Sequence, residues 1–583
     1  MKDNSNIDIK NNPLKIAIKK CNFAFKITFW FAFATNLLML LTPLYSLQVL
    51  DRVLGSRNLN TLLMLSIIVG LIYLVYAMLQ TARSFTLIKI GEWLDNNVSP
   101  ELFHHSVSAA ASKMNQSSSQ LLRDFETVKR FLTSTGINTL FDAPWSIVYF
   151  IVVFLIHPYI GAIALLGAVL IVSFGLFNAV ATNQELGEAT HHIRKGHIQA
   201  DIANRNAETV EAMGMMKNVS KIWSVFNKKS LSHQSNASYR SGIISNISRF
   251  VRNLMQMAVT GVGAYLVIDT YGNAMTAGNM IASSIIVGKA LAPFDNAIVM
   301  WKEISGALRS YKNINMGFDQ YSTRVQSMVI PNISGNLVVD DLHYALPTIA
   351  NPNIGKIQHT TTPKFIIKGI SFGLTAGESL AIIGPSASGK STLAKLIVGV
   401  WKASSGVVRL DGGDVYTWNR ENFGTHIGYL PQNVELFSGS VKQNIARMSE
   451  EIDPEKIVEA ATISGAHEMI LALPNGYDTD IGITGTNLSG GQKQRIGLAR
   501  SFYGTPKLLI LDEPNANLDR SGESALAKAL IKAKQLQITV IVISHRSDIL
   551  SVVDKIIFLK NGSILQFGSK EEILLALQQQ KIS

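Results

Sequence analysis

The chain has 583 residues, too many for one hydrophobic core, and 47% of them are hydrophobic, with a mean hydropathy of +0.21 that is high for a soluble enzyme. Its formal net charge of +12 is spread without a basic cluster carrying aromatics, which argues against a nucleic-acid-binding protein. The single cysteine, Cys21, excludes an internal disulfide and a zinc site, and a cysteine protease would need a folded pocket that the short stretch before the first apolar segment cannot supply. Long tracts of the first half carry no charge, whereas the second half reads as an ordinary water-exposed domain.

Residues 1–26 are polar and basic, with Lys10, Lys15, Lys19 and Lys20. They are too polar, and the apolar run after them too long, for a cleaved signal peptide, so they read as a cytoplasmic tail with a short membrane-surface helix from Pro13. Residues 27–50 are 24 positions without a charge, enough to cross a bilayer, and Pro43 inside them should bend the helix or widen a turn. Asp51, Arg52 and Arg57 mark an outer turn, and residues 60–82 are a second uncharged crossing. Residues 83–142 are charged and helical in pattern, and read as two helices joined near Asn115–Ser119. Residues 143–184 then run for 42 positions without a charge, enough for two crossings around an outer turn at His157, Pro158 and Tyr159. His157 reads as a turn residue rather than a proton relay. Residues 185–252 repeat the charged helical pattern, interrupted at 213–217 (MGMMK), where a short connecting helix is expected. Residues 253–268 and about 277–301 supply crossings five and six, joined by an uncharged loop. Both charged helical stretches then lie on the side of both termini, as the positive-inside tendency requires. Lys289 and Asp295, late in the sixth crossing, read as lying at or below the inner headgroups, with Lys289 snorkelling. The expected layout is a tail at 1–26, a six-helix membrane domain at 27–317, a linker at 318–336 and a soluble domain at 337–583.

In the soluble half, 337–339, 365–370, 379–383, 407–410, 426–430, 508–511 and 539–543 read as strands, with 347–362 as a loop. Strands alternating with helices and ending in polar loops predict a mostly parallel sheet with ligands at the strand ends. After the strand at 379–383 comes GPSASGKS, residues 384–391, and then a helical pattern from Thr392. Gly384 and Gly389 let backbone N–H groups close on phosphates, while Pro385, Ser386, Ala387 and Ser388 complete the loop with small side chains. Lys390 can reach the β and γ phosphates, and Ser391 offers a hydroxyl to Mg²⁺. The helix that follows turns its positive end to the same charge.

Asp512 and Glu513 end a run of apolar residues. Asp512 is placed to hold the Mg²⁺ shell, and Glu513 to polarise an attacking water. Gln432, in YLPQ after a strand, could sense Mg²⁺ and that water. His545, after the strand at 539–543, could contact the γ phosphate. Residues 488–495, LSGGQKQR, put Ser489, Gly490 and Gly491 before a helix expected to begin near Gln492, a second anion-binding surface. Two such surfaces in one domain make sense if each faces the other's nucleotide across a dimer.

These stretches together resemble the nucleotide-binding domain of ABC transporters. GPSASGKS is similar to the Walker A motif, Gln432 to the Q-loop glutamine, LSGGQKQR to the signature and LLILDEP to Walker B with its catalytic glutamate. Asp519 is similar to the D-loop aspartate and His545 to the switch histidine. Tyr344 resembles the adenine-stacking aromatic at a long spacing, with Phe365 as the alternative. The resemblance implies an all-α six-helix membrane exporter domain followed by an α/β P-loop ABC domain, with ATP and Mg²⁺ as ligands. It also implies a dimer that closes on ATP between Lys390 of one copy and Ser489 of the other, with coupling helices near Asn115 and Met215. The dimer is expected to be homodimeric, with a non-identical second half still open.

A closer resemblance, to the inner-membrane ATPase of type I protein secretion in its protease-exporting branch, rests on NLLMLLTPLYSLQVLDRVLGSRN from Asn36, LRDFETVKRFL from Leu122, FDAPW from Phe141 and GKALAPFDNAI from Gly288. It implies a bacterial inner-membrane location, a periplasmic membrane-fusion adaptor, an outer-membrane channel protein and a secreted polypeptide with a C-terminal signal. The alternative function is a stand-alone exporter of lipids, drugs or short peptides. The sequence departs from the family in three ways. It has no N-terminal peptidase-like domain, so leader cleavage is not expected. Ala387 replaces a commoner glycine, and Asn515 and Asn517 stand where many transporters carry serine or threonine.

Overall fold

The computed structural model describes residues 12–111, 119–269, 275–320, 330–331, 333–346 and 364–575. The chain divides into two compact units, with boundaries at 107/108, 116/117 and 322/323.

The first unit is helical, and among its described residues are six helices long and apolar enough to cross a membrane. The first crossing is broken. Helix Asn22–Met39 ends at Leu40 and resumes as Leu41–Gln48, because Pro43 has no N–H to give the Met39 carbonyl. It continues through a π-helical turn, Val49–Val53, so Asp51 and Arg52 lie within the helix. The outer turn falls instead at Arg57, in the left-handed region at φ +53°, and at Asn58, whose side chain caps the next helix. Asp51 has a separate task. Its carboxylate accepts from Thr276 Oγ1 at 2.5 Å and from the Gly278 N–H at 2.8 Å, which ties the first crossing to the start of helix Ala277–Val299.

Helix Leu59–Ala111 carries the second crossing. His157 terminates helix Ser146–Ile156 and caps helix Pro158–Arg205, with its Nδ1 accepting from the Tyr159 N–H at 3.3 Å. The short connecting helix is Ala207–Ala212, one turn earlier than the methionine cluster. Residues 213–215 form the turn itself, with Gly214 at φ +62°, and helix Met216–Asp269 follows. The helix joint expected near Asn115 and most of the linker lie outside the described residues.

The N-terminal helix Pro13–Lys20 does not spend its apolar face on lipid. Leu14, Ala17 and Cys21 pack into a core with Leu87, Ile90, Leu94 and Phe318, which leaves Lys19 and Lys20 outward. FDAPW is a packing element. Asp142 pairs with Arg83 at 2.9 Å and accepts from Asn36 at 3.1 Å, Phe141 stacks on Phe25, and Trp145 lies 4.8 and 4.7 Å from the Phe29 and Phe33 rings. Asp295 is 2% exposed, paired with Arg252 at 2.8 Å and bonded by Ser248 at 2.9 Å, whereas Lys289 is exposed.

The described residues of the second unit form ten strands: β1 (Leu337–Ala345), β2 (Phe365–Leu374), β3 (Ser379–Ile383), β4 (Ser405–Leu410), β5 (Gly413–Asp414), β6 (Ile427–Leu430), β7 (Leu508–Asp512), β8 (Thr539–Ile543), β9 (Lys555–Lys560) and β10 (Ser563–Ser569). They form two sheets rather than one. The larger runs β10-β9-β3-β8-β7-β6, parallel except for the β9–β10 hairpin. Every residue of β3, β7 and β8 is buried, the mark of a parallel sheet covered on both faces. The smaller sheet, β2-β1-β4-β5, is antiparallel. The sequence reading did not separate it, because its register joins strands remote in sequence: Leu337 faces Leu374 on one side and Leu410 on the other.

Candidate nucleotide site

β3 runs into the loop 384–389, and helix Lys390–Ile397 leaves it. Gly384 adopts φ +148°, and a Cβ there would lie 2.0 Å from the Leu559 carbonyl oxygen. Gly389 adopts φ +103°, with a Cβ position 2.9 Å from Ile367 Cδ1. Both positions therefore demand glycine. Ala387 also sits in the left-handed region, at φ +63°. Its small volume fits the loop, but its backbone carries a strain that the glycine common in this family would not. Pro385, Ser386 and Ala387 are exposed at the rim, and Thr392 is half-buried on the helix.

Lys390 is buried, and its Nζ donates to the Gly384 carbonyl at 2.7 Å and the Pro385 carbonyl at 3.0 Å. Burial pushes its ammonium down from the usual range, against the pull of Glu513 and Asp512. The Ser388 hydroxyl is buried and has no hydrogen-bond partner among the described residues. A loop stripped of side-chain bulk, a lysine engaged only by carbonyls and an orphaned hydroxyl fit a phosphate chain.

Asp512 closes β7. Burial pushes its carboxyl above the usual range; the Ser391 hydroxyl, donating at 3.1 Å, opposes that, and the neighbouring Glu513 adds to it. Ser391 and Asp512 present hard oxygen donors, the kind that suits Mg²⁺ together with substrate phosphates. Glu513 adopts φ +51°; its N–H donates to the Ile543 carbonyl at 3.0 Å, and its carboxylate accepts from Gln432 Nε2 at 2.9 Å. His545 lies two residues beyond the end of β8 and is exposed. Thus β3, β7 and β6, parallel strands of one sheet with β8 between β3 and β7, bring Lys390, Ser391, Asp512, Glu513 and Gln432 to the same end.

The signature opens a separate helix. Helix Gly490–Phe502 begins two residues earlier than expected, because Ser489 is its N-cap and Gln492 the reciprocal partner in a capping box. Gly490 and Gly491 pack on Asn517; a Cβ at Gly491 would lie 3.0 Å from the Asn517 carbonyl oxygen. No hydrogen bond joins Ser489 to the phosphate loop among the described residues. Asp519 caps helix Arg520–Gln535, accepting from the Gly522 N–H at 2.8 Å and from Arg495 at 2.6 Å. The Gly522 N–H, Ser521 and Arg495 hold its carboxyl below the usual range. Tyr344 is 6% exposed with its ring stacked on Trp401 at 5.2 Å, whereas Phe365 is 41% exposed beside His343.

Residues 367–516 match the family model for the ABC transporter, and residues 25–289 that for the ABC transporter transmembrane region. Over 566 residues the chain is 35% identical to the type I secretion system ATP-binding protein PrsD of Rhizobium meliloti (strain 1021), covering 97% of this chain and 94% of that one. The chain belongs to the ABC transporters, in their type I secretion branch. It is 26% identical to the alpha-hemolysin translocation ATP-binding protein HlyB of Proteus vulgaris over 92% of this chain and 74% of that relative. Its fold matches the structure of a bacterial Atm1-family ABC exporter with ATP bound at a TM-score of 0.79 and 18% identity, covering 95% of this chain and 96% of that one. As an ABC transporter it couples ATP hydrolysis to transport through a multi-pass membrane domain.

Within the ABC site the sequence reading missed Gln494. This glutamine is 2% exposed on the signature helix and donates to the Pro514 carbonyl at 3.1 Å, next to Glu513. With Arg495 on Asp519, it holds both ends of the 514–519 turn to the signature helix. The only sequence signal was a run of four polar residues, 492–495, following the glycines on that helix, which by itself reads as solvent-facing.

Proposed function

We propose that this chain is the ATP-hydrolysing energiser of a type I secretion system, exporting a polypeptide across the bacterial inner membrane. The observation that carries this reading is the nearly end-to-end match to a type I secretion ATP-binding protein, through both membrane and nucleotide domains. Two copies of the chain form the transporter, with both termini and the ATPase domain cytoplasmic. The domain limits are those read from the sequence: membrane domain 27–317, linker 318–336 and nucleotide-binding domain 337–583. The partners are a periplasmic membrane-fusion adaptor, an outer-membrane channel protein and a secreted polypeptide with a C-terminal signal.

In this reading Lys390 leaves the carbonyls of Gly384 and Pro385 for the β and γ phosphates, and the N–H groups of 384–392 surround them. Ser391, Asp512 and Gln432 hold Mg²⁺, which when bound neutralises charge developing on the phosphates. Glu513, released from Gln432, orients and polarises the attacking water, and His545 contacts the γ phosphate. Ser489, Gly490 and Gly491, unengaged with their own phosphate loop, complete the site of the second copy, and Asp519 lies at that junction. Phe365, with its ring open to solvent, stacks on the base, because the Tyr344 ring is committed to Trp401.

The test is affinity purification from native, mildly crosslinked membranes. Recovery of an adaptor with one crossing and a long periplasmic region, together with a secreted polypeptide, is expected. A dimer that returns alone in repeated preparations, with an ATPase stimulated by lipids or small molecules, would instead make it a stand-alone exporter.

A further inference from the structure

We infer that Asn515 is a positioning residue for His545. The inference rests on the reading of His545 as the γ-phosphate contact and adds the device that aims it.

The turn after Glu513 is unusual in its backbone. Glu513 and Asn517 both occupy the left-handed region, at φ +51° and +68°. Such a turn persists only where the surroundings over-determine it. Two anchors have already been described: the Glu513 N–H on the Ile543 carbonyl, and Gln494 on the Pro514 carbonyl. The third reaches the neighbouring strand end. Asn515 Oδ1 accepts from Ser544 Oγ at 3.1 Å, and the same Ser544 oxygen accepts from the Arg546 N–H at 3.2 Å. Ser544 is buried.

His545 is the residue between. Its two neighbours in sequence are joined through one hydroxyl, and that hydroxyl is held by Asn515. The imidazole makes no hydrogen bond among the described residues, so the backbone that carries it sets the point from which the ring can reach. Asn515 therefore links the turn bearing Glu513 to the turn bearing His545 with one side chain. An asparagine oxygen stands one bond farther from the backbone than a serine or threonine hydroxyl would. That extra reach spans to Ser544. Arg546 is tethered a second time, by an ion pair with Glu523 at 3.0 Å, so the loop is fixed on its far side as well. With the far side held, loss of Asn515 frees chiefly the segment 544–545.

The test uses the full-length chain in lipid nanodiscs and single-turnover and steady-state ATP hydrolysis. Asn515→Ala is expected to lower kcat about fivefold, the worth of one neutral hydrogen bond, with KM for ATP within about twofold, because Lys390 and its loop are untouched. Ser544→Ala, which removes that bond together with the one from the Arg546 N–H, is expected to lower kcat at least as much, and it serves if Asn515→Ala does not assemble. In a His545→Ala background, neither change should lower the single-turnover rate further. A full additional loss in that background, a rise in KM at unchanged kcat, or a wild-type rate in both single variants would overturn the role of Asn515. His545→Ala alone, if it turned over at the wild-type rate, would overturn the reading of His545 instead, so the two failures are distinguishable.

Discussion

The two units use their buried charged groups in different ways. In the membrane unit Arg83 and Asp295 are each paired with a group on another helix. Arg83, 1% exposed, is held by Asp142 and the Asn138 carbonyl, and Tyr149 donates to Asn36, which itself bonds Asp142. Asp295 is closed off in the same way by Arg252 and Ser248. In the nucleotide unit the corresponding groups sit at strand ends with weak or local partners. Lys390 rests on two carbonyls of its own loop, Ser391 on Asp512 and Gln432 on Glu513, while Ser388 rests on nothing among the described residues. In the first unit Arg83, Asp142 and Asp295 are thus committed to side chains of other helices. In the second the partners are exchangeable for a ligand, and that separates a polar group that builds a fold from one that serves chemistry.

Substitutions at the strand ends should therefore change chemistry and spare the fold, whereas those in the membrane clusters should do the reverse. The largest effect is expected at Glu513. Glu513→Gln keeps the hydrogen-bonding shape but removes the base, and should lower ATP turnover about 100-fold or more while ATP binding persists. Turnover near wild type in purified protein would remove its role. Lys390→Ala should weaken ATP binding about tenfold or more, the worth of a charge-assisted contact, and a fluorescent-nucleotide titration reads this directly.

In the membrane unit, Asp142→Asn should cost about 2 kcal/mol of thermal stability in detergent, because Arg83 is left buried without its counter-charge. Its ATP affinity should stay unchanged; an altered affinity at normal stability would break the comparison. A smaller effect is expected at Asp411, which accepts from the Ser334, Gly335 and Asn336 N–H groups and from the Ser334 hydroxyl. Burial pushes its carboxyl up, but the Ser334 hydroxyl and these N–H groups outweigh that and hold it below the usual range. Its stabilisation is thus present above the unfolded carboxyl pKa and lost as pH falls through the lower folded one. Asp411→Asn should melt a few degrees below wild type at neutral pH, and the gap should close on acidification below the ordinary carboxylate range. The smallest effect is expected at Ala387. Ala387→Gly relieves a left-handed alanine but loosens the unfolded chain, for a net gain of about 0.5 kcal/mol.

Much of the nucleotide site was legible because its demands are local. Gly384 and Gly389 adopt backbone angles that favour glycine, and the two recur at this spacing in phosphate loops of this kind. The six membrane helices were legible for a similar reason, since an uncharged run of about 20 residues has few other uses. The π turn at 49–53 was not, because the contact of Asp51 with Thr276 and Gly278 joins residues more than 200 positions apart. The burial of Tyr344 against Trp401 was hidden likewise, since strand alternation does not say which ring covers which.

What the sequence by itself determined is therefore the order of the two units, the membrane spans and the residue types gathered at the strand ends. Periodicity, chain reach and backbone freedom are properties of a few neighbouring residues. Only the tertiary structure decided which polar groups are spent on packing and which stay available. It separated the small antiparallel sheet from the large parallel one and placed the FDAPW aspartate on Arg83. It also showed Asn515 reaching Ser544, so that the two turns carrying Glu513 and His545 are held as one. The physical reason is the same in each case: a hydrogen bond or ion pair between distant residues depends on where the fold brings their backbones, and spacing along the chain does not encode that.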